Sequence, residues 1–229
     1  MRNGAIWALA ALALGEVGLP SRAVAQPVEG QAVHHLQSAE GLQLASWATA
    51  SRDNGDLPFI VIDKVAAEVL VFDAQGLLVG DTPALLGIAA GDDSSPGVGD
   101  RPLGELGPAE KTTPAGRFQA RIGPAAGGQT VLWVDFEDSV ALHPVITSNK
   151  AERRVQRLES PTPKDNRITF GCINVPAAFF HALVHPLFAG KGGIVYILPE
   201  KKFLMEVFPA FDIFLPPRPQ ALAVAQPEL

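Results

Sequence analysis

The sequence predicts a mainly β domain, and three observations carry that prediction. Short apolar runs recur between residues 58 and 198, and turn-rich segments separate them. The chain of 229 residues contains 22 glycines and 20 prolines, which suits strands joined by loops better than a helical bundle. Hydrophobic residues make up 47% of the chain, which is enough to fill a core. We therefore expect an antiparallel sheet with one or two short helices, preceded by an N-terminal helix.

The chain begins with a segment that predicts export. Residues 1–25 have the features of a signal peptide: a positive Arg2, a short apolar run, and Ala23-Val24-Ala25 as a small-residue cleavage site. We expect cleavage and a location in the periplasm or cell envelope, with an uncleaved anchor as the alternative. Residues 26–57 are predicted to be a leader containing one amphipathic helix, which Gly41 interrupts.

The main domain is expected at residues 58–198, and a proline-rich tail at 199–229. The apolar residues of the tail between 203 and 215 are expected to pack on a surface. Residues 90–100 are polar and glycine-rich, which predicts a mobile loop. The strands are predicted at residues 59–63, 68–72, 77–79, 85–88, 118–122, 131–135, 140–143, 167–173 and 192–198.

Charge and histidine spacing argue against two classes of site. The formal net charge of −6 disfavours a nucleic acid as partner. His181 and His185 have the spacing of a metal-binding pair, but a structural role is favoured because the acidic residue of a zinc-protease motif is missing. Adjacent His34 and His35 would point to different sides of a helix. We expect neither a metal nor another cofactor.

Cys172 is the only cysteine of the chain. In an oxidising compartment cysteines usually pair, so an unpaired thiol is either buried or used. The predicted strand 167–173 and a helix beginning at Pro176 place Cys172 at a strand-to-helix turn, where the helix dipole favours the thiolate. Gly171 allows a close approach of the backbone. The hypothesis is a nucleophile, and the alternative is a small buried hydrophobic residue.

His143 and a basic segment supply further candidates. His143 lies at a predicted strand end before Pro144, where it could act as a general base; taken alone, a core or surface histidine explains it better. Residues 147–166 are basic, with a short helix predicted at 149–158. Arg153, Arg154 and Arg157 could bind a carboxylate of a substrate, and a solvated loop is the alternative.

Several of these features, taken in chain order, resemble the L,D-transpeptidase catalytic domain family (YkuD-like). Asp63-Lys64 matches an early Asp-Lys pair, and residues 113–118, Thr-Pro-Ala-Gly-Arg-Phe, match a Thr-Pro-x-Gly-x-aromatic turn. His143 matches a strand-end histidine, and residues 169–174, Thr-Phe-Gly-Cys-Ile-Asn, match a Ser/Thr-His-Gly-Cys-apolar-Asn/Arg signature. The resemblance covers about residues 58–198 and implies the β-sandwich-like catalytic fold of that family.

The sequence departs from the family pattern at two points. Phe170 stands where the signature has a histidine, which removes a polar neighbour of the thiol. The gap from His143 to Cys172 is longer than usual, and the excess is the basic insert at 147–166. These departures put the rate, the substrate range or activity itself in question.

The resemblance implies a cysteine acyltransferase of peptidoglycan biosynthesis and cell-wall organisation, with a role in cell shape. Cys172 would attack an L,D-peptide bond of a peptidoglycan stem peptide, and His143 would take the thiol proton. The N–H groups of Gly171 and Cys172 would hold the oxyanion. Thr169, Phe170 and Asn174 are assigned to the substrate-binding part of the site.

Three other outcomes stay open at this point. Water could replace the amine acceptor, which gives an L,D-carboxypeptidase or amidase. The insert could adapt the thiol chemistry to a different exported amide. Alternatively, Phe170 and the insert could mark a catalytically inactive wall-binding module. The sequence names no protein partner.

Overall fold

The computed structural model describes residues 37–214. The predicted signal peptide, the histidine pair at 34–35 and the part of the tail beyond residue 214 lie outside the described residues. Within residues 37–214, no helix is both long and apolar enough to cross a membrane.

The described chain is mainly β, which confirms the predicted fold class. Eight strands form one sheet in the order β3-β2-β1-β10-β5-β6-β7-β9, and β4 pairs with β8 beside it. The strands are β1 (Phe59–Asp63), β2 (Glu68–Phe72), β3 (Leu78–Pro83), β4 (Leu86–Gly87), β5 (Gly116–Pro124), β6 (Thr130–Asp135), β7 (Val140–Pro144), β8 (Arg167–Thr169), β9 (Ile173–Val175) and β10 (Gly193–Ile197).

The large sheet is mixed, whereas the sequence predicted antiparallel neighbours. β1 pairs with β10 in parallel, and β7 pairs with β9 in parallel. Parallel neighbours require long crossover connections. The insert at 147–166 lies in the connection between β7 and β9. Beyond the edge strand β3, Leu85 bridges to Asn174 of β9, the opposite edge strand, so the two edges of the sheet approach each other.

Short helices account for most of the remaining regular structure. Ser38 caps the first helix by accepting a 3.0 Å hydrogen bond from the Gly41 N–H. Gly41 does not interrupt this helix, which continues from Ala39 to Ala50 with Gly41 buried in its first turn. Arg153 adopts a left-handed conformation (φ 51°), which splits the helix predicted at 149–158 into a 3-10 turn and α2. The helices are α1 (Ala39–Ala50), α2 (Arg154–Leu158), α3 (Ala177–Phe179), a π-helical turn (Phe180–Val184), α4 (His185–Phe188) and α5 (Leu204–Val207).

Apolar side chains are buried on both faces of the sheet. One cluster contains Ile60 and Ile62 of β1 together with Phe180 from the helical stretch after β9. The opposite cluster contains Phe59 and Val61 of β1 with Trp47 of α1 and residues of the tail. The Phe211 ring meets the Trp47 ring edge-on, with the centroids 5.8 Å apart. The core therefore extends beyond residues 58–198, and the apolar tail residues Phe208 and Phe211 pack on the domain as expected.

The segment around the cysteine differs from the prediction. The expected single strand at 167–173 is divided into β8 and β9, and residues 170–172 form a turn between them. The following helix begins at Ala177, after β9. The hypothesis that a helix dipole acts on the thiol is therefore wrong, because a strand separates Cys172 from the helix start.

Candidate active site

The parallel pairing of β7 with β9 brings the two predicted reactive groups together. His143 of β7 lies opposite Asn174 of β9, and Leu142 lies opposite Ile173. Cys172 directly precedes β9. As a result, His143 and Cys172 line the same cavity, which has a volume of about 470 Å³. Both residues are partly exposed.

The turn that presents Cys172, residues 169–172, is held by hydrogen bonds from Thr169. Its hydroxyl donates to the Cys172 carbonyl oxygen over 2.6 Å and accepts from the Gly171 N–H over 3.2 Å. Gly171 has a φ of 131°, and a Cβ there would lie 2.8 Å from the Thr112 carbonyl oxygen. Glycine is thus required at this position by both its conformation and the close contact.

The Thr-Pro-x-Gly segment, residues 113–116, also holds this turn by hydrogen bonds. Thr113 is fully buried, and its hydroxyl donates to the Gly171 carbonyl oxygen over 2.8 Å. The Thr113 hydroxyl oxygen also accepts a 2.9 Å hydrogen bond from the Gly87 N–H. The Thr-Pro-x-Gly segment therefore has a local physical role that its motif alone did not reveal: it fixes the backbone that carries the thiol.

The sulfur of Cys172 lies close to Ser139, the residue that precedes β7. The Sγ atom is 3.6 Å from the Ser139 carbonyl oxygen. Burial raises the pKa of the Cys172 thiol above its ordinary value of 9.0, although a backbone hydrogen bond from Ala141 and the charge of Arg154 act in the opposite direction. The resting group is therefore a thiol near neutral pH, whereas the sequence predicted a stabilised thiolate.

The hydrogen bonds of His143 define its tautomer. Its Nδ1 atom lies 2.8 Å from the Pro144 carbonyl oxygen, which can only accept, so Nδ1 carries the proton. Its Nε2 atom lies 3.0 Å from Nδ2 of Asn174. Burial lowers the pKa of His143 below its ordinary value of 6.5, the charge of Arg154 lowers it further, and the Pro144 contact partly offsets both. The imidazole is therefore neutral near neutral pH.

Arg154 connects the basic insert to this histidine. Its Nη1 atom donates to Oδ1 of Asn174 over 2.7 Å, and its Nε atom donates to the Glu152 carboxylate over 2.5 Å. Arg154 also lines the cavity that contains Cys172. The sequence predicted a substrate contact for Arg154, but nothing in the spacing indicated the link to Asn174, because 20 positions separate the two residues.

The other two arginines of the insert lie elsewhere. Arg153 and Arg157 line a separate small cavity together with Asp165. Arg157 donates to the carbonyl oxygens of Glu152 and Asp165 over 3.0 and 2.7 Å. The structure therefore does not bring these two arginines to the cavity of Cys172, and their predicted contact with substrate stays a prediction.

Phe170, which replaces the histidine of the family signature, lines the cavity. The Lys111 ammonium group lies 3.9 Å from the centre of its ring, a cation–π contact. Further apolar side chains give the cavity a largely hydrophobic wall. They are Val98, Leu103, Leu106, Val131, Trp133, Val140 and Ile146.

A buried ion pair fixes the segment that begins the loop at 90–100. Lys64 is 1% exposed, and its ammonium group donates to the Asp92 carboxylate over 2.7 Å and to the Thr113 carbonyl oxygen over 3.0 Å. The Asp92 carboxylate also accepts three backbone N–H groups from residues 200–202. Asp92 is therefore anchored, while Ser94 and the residues after it extend along the cavity.

Among residues 37–214, no group of three or more histidine, cysteine, aspartate or glutamate side chains is arranged to hold a metal ion. The groups at the cavity that can take part in chemistry are a thiol, a neutral imidazole with one basic nitrogen, and backbone N–H groups of the turn.

Solved structures similar to this chain include two L,D-transpeptidases. The catalytic domain of the E. faecium enzyme is 16% identical with a TM-score of 0.37, and the match covers 62% of this chain and 98% of that one. The enzyme from Xylanimonas cellulosilytica is 17% identical with a TM-score of 0.39, covering 62% and 60%. The helical cell shape determining protein Pgp2 from Campylobacter jejuni is 12% identical with a TM-score of 0.40, covering 71% and 57%.

The first two structures are of the same family that the sequence motifs resemble. This chain spans 60% of the Xylanimonas chain and 57% of the Pgp2 chain. Neither a protein-family model nor a curated protein matches the sequence. At these identities and TM-scores, the similarity carries no conclusion about activity.

Proposed function

We propose that this protein is an exported cysteine-dependent L,D-transpeptidase that acts on peptidoglycan stem peptides. The observation that supports the proposal most directly is the common cavity of Cys172 and His143. A thiol and a neutral imidazole at one cavity are the two groups that nucleophilic acyl transfer requires. The motif resemblance supplies the substrate class, and the predicted signal peptide supplies the compartment.

The first half of the proposed reaction forms a thioester. Sγ of Cys172 attacks the carbonyl carbon of an L,D-peptide bond while Nε2 of His143 takes the thiol proton. Nε2 is the atom that acts, because Nδ1 already carries a proton that it donates to Pro144. In the resting structure Nε2 accepts from the Asn174 amide 3.0 Å away, so that hydrogen bond must open before the thiol proton can reach Nε2. The tetrahedral intermediate then collapses, the C–N bond breaks, and the imidazolium returns the proton to the leaving amine.

The second half transfers the acyl group. An amine of an acceptor stem peptide attacks the thioester, loses its proton to His143, and forms a new amide as the thiol is regenerated. Water in place of the amine gives the carboxypeptidase outcome. The N–H groups of Gly171 and Cys172 are the proposed oxyanion donors. That of Gly171 bonds to Thr169 in the resting structure, so it must turn from that oxygen in order to contribute.

Incubation of the purified protein with defined muropeptides tests the proposal. Transpeptidation gives a cross-linked dimer with loss of the terminal residue, hydrolysis gives a shortened monomer, and mass spectrometry separates the two. Cys172→Ser and His143→Gln are expected to abolish both products. Unchanged muropeptides, together with no acylation of Cys172 by a carbapenem, would contradict the proposal and favour a wall-binding module.

Export is tested separately from catalysis. Mass spectrometry of protein recovered from the cell envelope is expected to show an N-terminus at Gln26, as the predicted cleavage site requires. Recovery of the protein with an intact Met1 would reject cleavage without bearing on the chemistry of Cys172.

A further inference from the structure

We infer that Arg154 is a positioning residue of the site: it orients the Asn174 amide, and the amide fixes the tautomer and the charge state of the His143 imidazole. The inference rests on the proposed function, since it assigns His143 the role of the base. It also gives the insert at 147–166 a place in the active site, although that insert departs from the family pattern.

The first step is the orientation of the amide. A guanidinium group has only donors, so the Asn174 atom that Arg154 meets at 2.7 Å is the oxygen. The amide nitrogen must then face His143, where it lies 3.0 Å from Nε2. An amide nitrogen only donates, so Nε2 accepts and is unprotonated. The Pro144 carbonyl oxygen at Nδ1 requires the same tautomer independently.

The second step is the effect on charge. A protonated His143 would point its Nε2–H at the Asn174 NH2 group, which places two donors against each other. Rotation of the amide would relieve the conflict but would turn its NH2 group toward Arg154. Because Asn174 is 1% exposed, solvent cannot easily compensate for the lost hydrogen bond. Arg154 thus favours the neutral imidazole through the amide as well as through its own charge.

The third step concerns the alternative role of Arg154 as a substrate contact. Its side chain is 12% exposed, and two of its three nitrogens already bond to Asn174 and Glu152. The other charged side chains that line the cavity are Arg101, which is paired with Glu110, and Asp138. The thiol of Cys172 is the remaining titratable group of the cavity. Among these groups Arg154 is the one joined to His143 through a hydrogen-bonded side chain.

Nitrogen-15 NMR of the imidazoles tests the inference in the native protein. The ring nitrogens of His143, assigned with the His143→Gln variant, are expected to show the Nδ1–H tautomer near neutral pH. Detection of the Nε2–H tautomer in the native protein would overturn the inference.

Variants then test whether Arg154 acts on His143 through the Asn174 amide. Arg154→Met is expected to raise the titration midpoint of His143, whereas Arg153→Met, which removes the same charge one position earlier, leaves it unchanged. Arg154→Lys is expected to restore part of the shift because it keeps a charged donor for Asn174. In an Asn174→Leu background, Arg154→Met should shift the midpoint less than in the native background. An equal shift in both backgrounds would show that Arg154 acts on His143 by charge alone, and it would refute the proposed effect of Arg154 through the Asn174 amide.

Kinetics separates this inference from the proposed function. If native protein is acylated by a carbapenem, Arg154→Met is expected to slow acylation by about ten- to a hundredfold through a misplaced base. An unchanged His143 midpoint in an active enzyme overturns the inference alone. A shifted midpoint in a protein whose thiol is never acylated overturns the proposed function alone.

Discussion

The Thr113 hydroxyl donates a hydrogen bond to the Gly171 carbonyl oxygen, 2.8 Å away, although 58 positions separate the two residues in the chain. This contact joins the turn before β5 to the turn that carries Cys172. Since the Thr113 oxygen also accepts from the Gly87 N–H, one buried hydroxyl satisfies two backbone groups of different segments. The position of the thiol therefore depends on a residue that takes no part in the proposed chemistry.

Thr113→Val is expected to destabilise the protein by about 1–3 kcal/mol, because the isosteric side chain leaves a buried N–H and a buried carbonyl group unpaired. Urea denaturation measures the change. Thr130→Val, on the exposed side of β6, is the matched control and should be near neutral. Equal stability of the two variants would show that the Thr113 hydroxyl is not needed to hold the turn.

Gly171→Ala is expected to destabilise the protein by about 1–3 kcal/mol and to displace the thiol, because the new methyl group must adopt an unfavourable backbone region. It would also meet the Thr112 carbonyl oxygen at 2.8 Å. Thermal unfolding and the rate of Cys172 acylation report the two effects. Gly190→Ala, where a Cβ meets no neighbouring atom within 4 Å, is the control. A Gly171→Ala protein with native stability and native acylation would contradict the assignment of strain.

The sequence anticipated the strands better than the contacts between them. Runs such as residues 59–63 and 68–72 are apolar and β-branched, so their local pattern was sufficient to locate β1 and β2. The parallel pairing of β7 with β9 depends on a crossover connection, and local sequence patterns do not predict that pairing. The motifs located Cys172 and His143, but not the Arg154–Asn174 contact, since that depends on how the insert folds back over β9.

The division of the predicted strand at 167–173 has a similar cause. Apolar and β-branched residues occur on both sides of Gly171, so composition alone favours one continuous strand. The break arises from tertiary contacts: β8 pairs with β4, whereas β9 pairs with β7. Lys64 likewise matched a motif whose physical basis, a buried ion pair with Asp92, only the structure reveals. Its neighbour Asp63 instead accepts from the backbone N–H groups of Val65 and Ala66.

Asp92→Asn is expected to destabilise the protein by about 3 kcal/mol, because it leaves the buried Lys64 ammonium group without its closest carboxylate. Asp93→Asn is the control at the neighbouring position, where the aspartate is exposed and its ion pair with Lys202 contributes little. Urea midpoints near neutral pH compare the two. A loss no larger for Asp92→Asn than for Asp93→Asn would contradict the importance of the buried pair.

The same ion pair predicts how stability depends on acid. Burial alone would raise the pKa of Asp92, but the Lys64 ammonium group and three backbone N–H groups lower it from 3.8 to about 2. A carboxyl group with a lowered pKa stabilises the fold above its unfolded pKa and loses that contribution as the pH falls through its folded pKa. Native protein and Asp92→Asn should therefore converge in stability as the pH falls from about 4 to about 2. A constant difference between them over this range would be the contrary result.

The reactivity of Cys172 is expected to increase with pH and to lack a plateau near neutrality. Burial raises the pKa of its thiol above 9.0, so little thiolate is present in the resting protein. Alkylation by iodoacetamide should be slow near neutral pH and should accelerate up to and beyond pH 9.0. Because Cys172 is the only cysteine, mass spectrometry follows the reaction without interference. Rapid alkylation near pH 7, at a rate independent of pH, would indicate a preformed thiolate instead.

Acylation by a carbapenem is expected to follow a different pH dependence, because a carbonyl substrate allows His143 to act as general base. Burial and the charge of Arg154 lower the pKa of His143 below 6.5, so the imidazole keeps its basic nitrogen down to a pH below that value. The rate should remain level between pH 6.5 and 9.0 and fall only on the acid side of 6.5. A His143→Gln variant should lose this level region and depend on thiolate alone. If the native protein and His143→Gln had the same profile, the proton would have to pass to another acceptor, and the proposed role of His143 as base would fail.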